Sequence, residues 1–170
     1  ALSTNVAHLR LLELGAWLAG EQGDTARQTQ LQGWADDLRA SIDNRFYHAG
    51  RGLWGTFTTG ALDRAPVNHF DLLGSALAVT SGVGDAARQG EVVRSYPHLD
   101  KGPPVIWPQQ KDIPIYHNRG IWPFVTAYAV WAARRHRLAG VFTRDATALV
   151  SGAAFTLSNL ENFEWGTQAP

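Results

Sequence analysis

Apolar residues recur along this chain at three- and four-residue steps, in blocks separated by polar or glycine-rich stretches. That period marks helices with one side against other protein. The first block, VAHLRLLELGAWLAG, follows Ser3-Thr4-Asn5, residue types that cap helices, and runs to about Gly20 with apolar groups on more than one face. After a turn at Glu21 to Gly23, Asp24 or Thr25 caps a second helix. Leu31, Trp34, Ala35, Leu38, Ile42 and Phe46 share one of its faces, and Arg27, Gln28, Asp36, Asp37 and Arg39 the other. A third helix, from about His69 to Ser81, is apolar nearly all round and stops at Gly82-Val83-Gly84. The fourth, about Asp85 to Tyr96, is shorter and more polar. The fifth starts at Trp122 with Pro123 in its first turn, where a missing N–H costs nothing, and is again apolar nearly all round. Leu138 to Phe142 connects it to a sixth, from about Thr143 to Leu160, with Ala146, Leu149, Val150, Ala153, Leu157 and Leu160 on one face. Trp17, Trp34 and Trp131 lie inside helices and are expected in the core.

Two alternations follow. The odd helices are apolar nearly all round and the even ones amphipathic. Connections after odd helices are short; those after even helices are long and rich in Trp, Gly and Pro, with a short hairpin expected in GLWGTFTTG. The repeating unit is an αα-hairpin of roughly fifty residues, present about three times. The expectation is an all-α fold in one domain, residues 1–170, with buried odd helices inside, even helices outside, and every long loop at the end where the odd helices begin. Helix N-termini and aromatic side chains gathered at one mouth make a binding site.

The stretch Pro104 to Phe124, PVIWPQQKDIPIYHNRGIWPF, sharpens that picture. A plain linker uses Gly, Ser and small polar residues. This one carries two Trp-Pro pairs, amides, a carboxylate, a Tyr-His pair and an arginine. Flat apolar faces mixed with forked hydrogen-bonding groups suit a sugar, which has an apolar ring face and a rim of hydroxyls.

Composition narrows the classes. Hydrophobic residues make up 45% and charged residues 18% of 170, which is the balance of a globular domain. With 15 basic and 15 acidic side chains and no basic run, neither nucleic acid nor an anionic membrane is the expected partner. No apolar run is long enough to span a bilayer. The absence of Cys excludes thiolate chemistry and leaves the compartment open: periplasmic, secreted or cytoplasmic. The absence of Met marks the chain as a processed form or a piece of a longer one. The six His are scattered, without metal-ligand spacing, and no Gly-rich nucleotide loop or Gly-x-Ser-x-Gly elbow occurs, so no metal or cofactor is expected.

The string Tyr116-x-Asn118-x-x-x-Trp122-Pro123 leading into an inner helix, the FDLLGSALAVTSG helix and the PVIWPQ loop resemble those of the six-hairpin glycosidases, the (α/α)6-barrel glycoside hydrolases, in their debranching-enzyme-like and glucosidase-like members. The resemblance implies an αα-hairpin toroid of which this chain supplies about three hairpins, half a barrel. It also implies hydrolysis of glycosidic bonds in an oligo- or polysaccharide with inversion. An open half-toroid exposes inner helices, which predicts self-association or a missing half of the barrel.

Inverting hydrolysis needs two carboxylates, one acid and one base. Candidates are Asp71, Asp112 and Glu164, with Asp63, Asp100 and Glu161 also in or beside long loops. Asp71 reads equally as a first-turn carboxylate favoured by the helix dipole, Asp112 as a solvated turn former, and Glu164 as a helix-end carboxylate whose apolar neighbours, Phe163 and Trp165, could raise its pKa. Substrate-binding candidates are Trp54, Trp107, Gln109, Tyr116, His117, Asn118, Arg119, Trp122, Glu161 and Trp165. His117 reads as a general base or as a hydrogen-bonded structural histidine. Two rival functions remain. One is a uronate lyase or sugar epimerase using Tyr116, His117 and Arg119. The other is a non-catalytic helical-repeat module whose loop aromatics anchor a partner.

Overall fold

Asp24, Asp71 and Asp85 each stand one residue before or at a helix start, and each folds its carboxylate onto a backbone N–H of the first turn. They accept from Arg27, Leu73 and Arg88 at 2.9, 3.0 and 2.8 Å. A computed structural model shows the resulting architecture. It describes all residues except 61–64, 111, 115, 165 and 167–170. Asp63 and Trp165 therefore lie outside the described residues.

The described chain is mostly helical. Its helices are α1 (Leu2–Glu21), α2 (Thr25–Phe46), α3 (Leu72–Thr80), α4 (Ala86–Ser95), α5 (Pro123–Arg135) and α6 (Ala139–Thr156). Between them lie two-residue strands β1 (Tyr47–His48), β2 (Leu53–Trp54), β3 (Phe70–Asp71), β4 (Ile106–Trp107), β5 (Gly120–Ile121) and β6 (Phe163–Glu164). Helices α1, α3 and α5 pack side by side in that order. Helix α2 pairs with α1, α6 with α5, and α4 lies against both α3 and α5.

Each odd helix turns the same spacing inward. Leu2, Val6 and Leu9 of α1 are buried, as are Leu72, Ala76 and Val79 of α3 and Val125, Ala129 and Ala132 of α5. A belt of backbone hydrogen bonds then ties the long loops to the starts of the odd helices. Leu2 N–H donates to Thr56 O, and Thr56 N–H to His69 O, both at 2.7 Å. At the start of α3, Leu72 N–H donates to Val105 O and Val105 N–H to Gly120 O, both at 2.9 Å. Antiparallel pairs β3–β4 and β5–β6 continue the belt. The long loops thus share one end of the molecule with the N-termini of α1, α3 and α5. Tyr96 fastens α4 beneath them: its buried hydroxyl lies 2.9 Å from Pro104 O and 3.2 Å from Val105 O.

Several expectations are corrected. Helix α1 starts at Leu2 with no side-chain cap, so Ser3 and Thr4 sit within its first turn. Strand β2 of the expected GLWGTFTTG hairpin pairs backwards with β1 instead. Helix α6 starts at Ala139, inside the expected connection, because Arg137 takes the left-handed turn (φ 53°) in the preceding residues. Its buried stripe is Asp145, Ala148 and Gly152, small enough for close approach; Val150 and Leu157 face out. Trp17, Trp34 and Trp131 are more than half exposed. With Leu11 and Leu14 of α1 and Phe124 of α5, Trp17 and Trp131 show that the two outermost odd helices are not buried all round. Only α3, flanked on both sides, has that character.

Candidate functional site

The mouth is built where β3, β4 and β5 deliver the chain to α3 and α5. Asp71 ends β3 and caps α3. Its carboxylate folds so closely over the first turn that a Cβ at Gly74 would come within 2.7 Å of Oδ2. Burial pushes its pKa above the usual carboxylate range, although the Leu73 and Gly74 N–H groups and the nearby His117 pull the other way. Asp71 thus stands at the helix start as the cap, one residue before the first turn expected for it, with a carboxyl whose pKa burial raises. Trp107 lies half-buried in β4, in register with Phe70 beside it, and its bond to Pro108 is cis.

At the start of α5 four candidates gather. The His117 ring stacks on Trp122 at 4.7 Å with an interplanar angle of 14°. Tyr116 meets Trp122 edge-on at 5.0 Å and His117 at 4.7 Å. Tyr116 donates its hydroxyl to Glu161 at 3.2 Å, which carries the segment after α6 into the mouth. Arg119 forms an ion pair with Glu164 of β6, whose carboxylate also accepts from the Gly166 N–H at 3.0 Å. Gly120 permits this crowding, because a side chain there would strike the Tyr116 carbonyl and the Trp122 indole. Trp122 Nε1 and Arg119 Nε are shielded donors without a hydrogen-bond partner among the described residues.

Four candidates sit elsewhere. Trp54 is 0% exposed and donates Nε1 to Asp43 at 3.2 Å, so it is core and beyond reach of a ligand. Asn118 is buried and staples its own loop. Its Oδ1 accepts from Gln110 N–H at 2.7 Å, and its Nδ2 donates to Gln110 O at 2.7 Å and Ile113 O at 2.9 Å. The amide is consumed by backbone, not offered to solvent. Asn118→Ala leaves part-buried backbone groups of Gln110 and Ile113 unpaired and is expected to cost about 1–3 kcal/mol in urea unfolding. An unchanged unfolding midpoint would show that the loop holds itself without the amide. Asp112 and Gln109 are exposed on the loop, away from these contacts.

Sequence reasoning missed a buried ion pair. His98 Nδ1 lies 2.9 Å from Asp145 Oδ2 and 3.0 Å from Oδ1, and Nε2 lies 2.9 Å from Val93 O. Asp145 is fully buried. Both ring nitrogens face acceptors, so the ring is satisfied only as the doubly protonated cation. Burial lowers the His98 pKa, but the bond and charge of Asp145, with the Val93 carbonyl, outweigh it and the net shift is upward. The pair joins the base of the long α4–α5 loop to α6. An aspartate on the small-residue stripe of α6 was the available signal.

A cleft of about 530 Å³ opens beside the mouth, between the first turn of α5, the second half of α6 and residues 158–163. Trp122 and Glu161 belong to both. Among the described residues no group of three or more metal-ligating side chains converges, and no helix is long and apolar enough to cross a membrane.

No protein-family model matches the chain, and no curated protein matches it significantly.

Proposed function

We propose that the chain is part of a carbohydrate-active enzyme, a glycoside hydrolase built on an αα-hairpin toroid. The observation that carries this reading is the placement of Asp71: a largely buried carboxyl, its pKa raised by that burial, at the start of a helix with a stacked aromatic group at the same mouth. In this reading Asp71 donates the proton to the glycosidic oxygen. Glu164, fixed by Arg119, is the second carboxylate and activates water. Tyr116, His117 and Trp122 offer the sugar aromatic faces, and Glu161 offers its hydroxyls a hydrogen-bond acceptor. Packing of α1, α3 and α5 in sequence, with the loops at one end, supports the toroid reading. The exposed apolar residues of α1 and α5 are then surfaces for a further hairpin or a second copy. A uronate lyase fits less well, because Arg119, the cation that would meet a uronate, already faces Glu164.

The test is a panel of oligosaccharides and aryl glycosides, with products followed by NMR for anomeric configuration. Cleavage with inversion supports the reading. An unsaturated product would assign a lyase. If no sugar is cleaved and none changes the tryptophan fluorescence, the carbohydrate reading is wrong.

A further inference from the structure

The cleft beside the mouth is chemically unlike the mouth. Its walls are carbon, from Trp122, Pro123, Phe124, Leu149, Leu160 and Phe163. Its polar side chains are Lys101, Ser158, Asn159 and Glu161, the last three on exposed positions. A volume of about 530 Å³ suits a compact small molecule. A sugar seated there would lose water from a full rim of hydroxyls and regain few partners, which is costly. A flat aromatic ring with one hydroxyl loses little and gains a tryptophan and two phenylalanines as neighbours. Lys101 also lines the cleft, with its Nζ 5.4 Å from the Phe155 ring centre. Glu161 both lines the cleft and accepts from Tyr116, so the cleft is continuous with the mouth.

We propose that this cleft binds an aryl alcohol, the aglycone of an aryl glycoside whose sugar lies in the mouth. Its link to catalysis rests on the glycosidase reading; the aryl site itself does not. Trp122 is the shared wall: it stacks with His117 and lines the cleft. Gly152 lets the Phe163 ring pack directly on α6 at the edge of the cleft, since a Cβ there would lie 3.1 Å from that ring.

The experiment titrates the intact chain with phenol and, separately, with glucose, mannose and galactose, observing amide and indole N–H shifts by NMR. Phenol is expected to move the Trp122 indole and Gly152 amide signals. Ala153→Trp, from an exposed position on the cleft wall, and Ser158→Trp, on an exposed loop, should each weaken that binding at least about tenfold by filling the space. Phenol shifts without sugar shifts uphold the aryl site and remove the sugar from the mouth. Sugar shifts without phenol shifts overturn the aryl site alone. Phenol shifts that spread over Leu11, Leu14 and Trp17, or that persist in both variants, show nonspecific adsorption and overturn it. So do cleft shifts that follow protein concentration without phenol, which would seat a second copy there.

Discussion

Asp71→Asn is expected to lower the rate of glycoside cleavage about 10²–10⁴-fold while leaving the fold intact. Asparagine caps helices as well as aspartate, so the bond from Leu73 N–H survives. It cannot donate the proton. The pH dependence gives an independent reading. Asp71 has its pKa raised chiefly by burial, so in the wild-type chain the rate falls as pH rises through that raised value and the acid is lost. The variant loses that limb. The stability sign is separate. A folded-state pKa above the unfolded one contributes stability that is present below the ordinary carboxylate value and lost as pH rises through the folded one. At neutral pH the amide removes a buried charge, so the thermal midpoint should hold or rise. Full activity in Asp71→Asn would place the acid elsewhere; lost activity with a collapsed midpoint would make Asp71 only a cap.

His98→Ala is expected to destabilise the chain by about 3–5 kcal/mol, because the fully buried Asp145 carboxylate is left without its cation. For a chain of this length that lowers the thermal midpoint by about 10 °C. Asp145→Asn should cost somewhat less, since an amide oxygen still accepts from Nδ1. The wild-type pair also sets a pH trend. The His98 pKa is raised in the fold, so its contribution is complete below the ordinary histidine value and fades as pH rises through the raised one. Deprotonation leaves a ring lone pair facing a carboxylate or the Val93 carbonyl. Unfolding followed by circular dichroism across that range should show the loss in wild type and a flatter profile in both variants. Equal pH profiles would show that the histidine titrates as it does unfolded.

The helices were legible because their signals are local. Asp24 and Asp85 capped where their side chains can reach a first-turn N–H, and Pro123 fell in a first turn. The gathering of Tyr116, His117 and Trp122 was legible for the same reason, being adjacent in sequence. Trp54 and Asn118 misled, because residue type says what a side chain can bond and not whether backbone or a distant carboxylate has already taken it. Trp54 meets Asp43 and Asn118 meets Gln110, contacts that exist only once the loops are folded. Trp17 and Trp131 misled in the opposite direction: a helix apolar on many faces can have neighbours on only some, and Trp34 of α2 is likewise left uncovered.

The sequence alone determined most of the helices, the alternation of short and long connections and the aromatic character of the α4–α5 loop. These follow from periodicity and from the short reach of caps and turns. Tertiary structure alone decided three things. It bent the belt of loop backbone so that Leu2, Leu72 and the start of α5 share one end. It joined His98 to Asp145 across 47 residues. It also raised Asp71 while tying Arg119 to Glu164. The physical reason is common to all three: burial and long-range charge depend on which surfaces meet, and that choice is set by the whole chain rather than by any window of it.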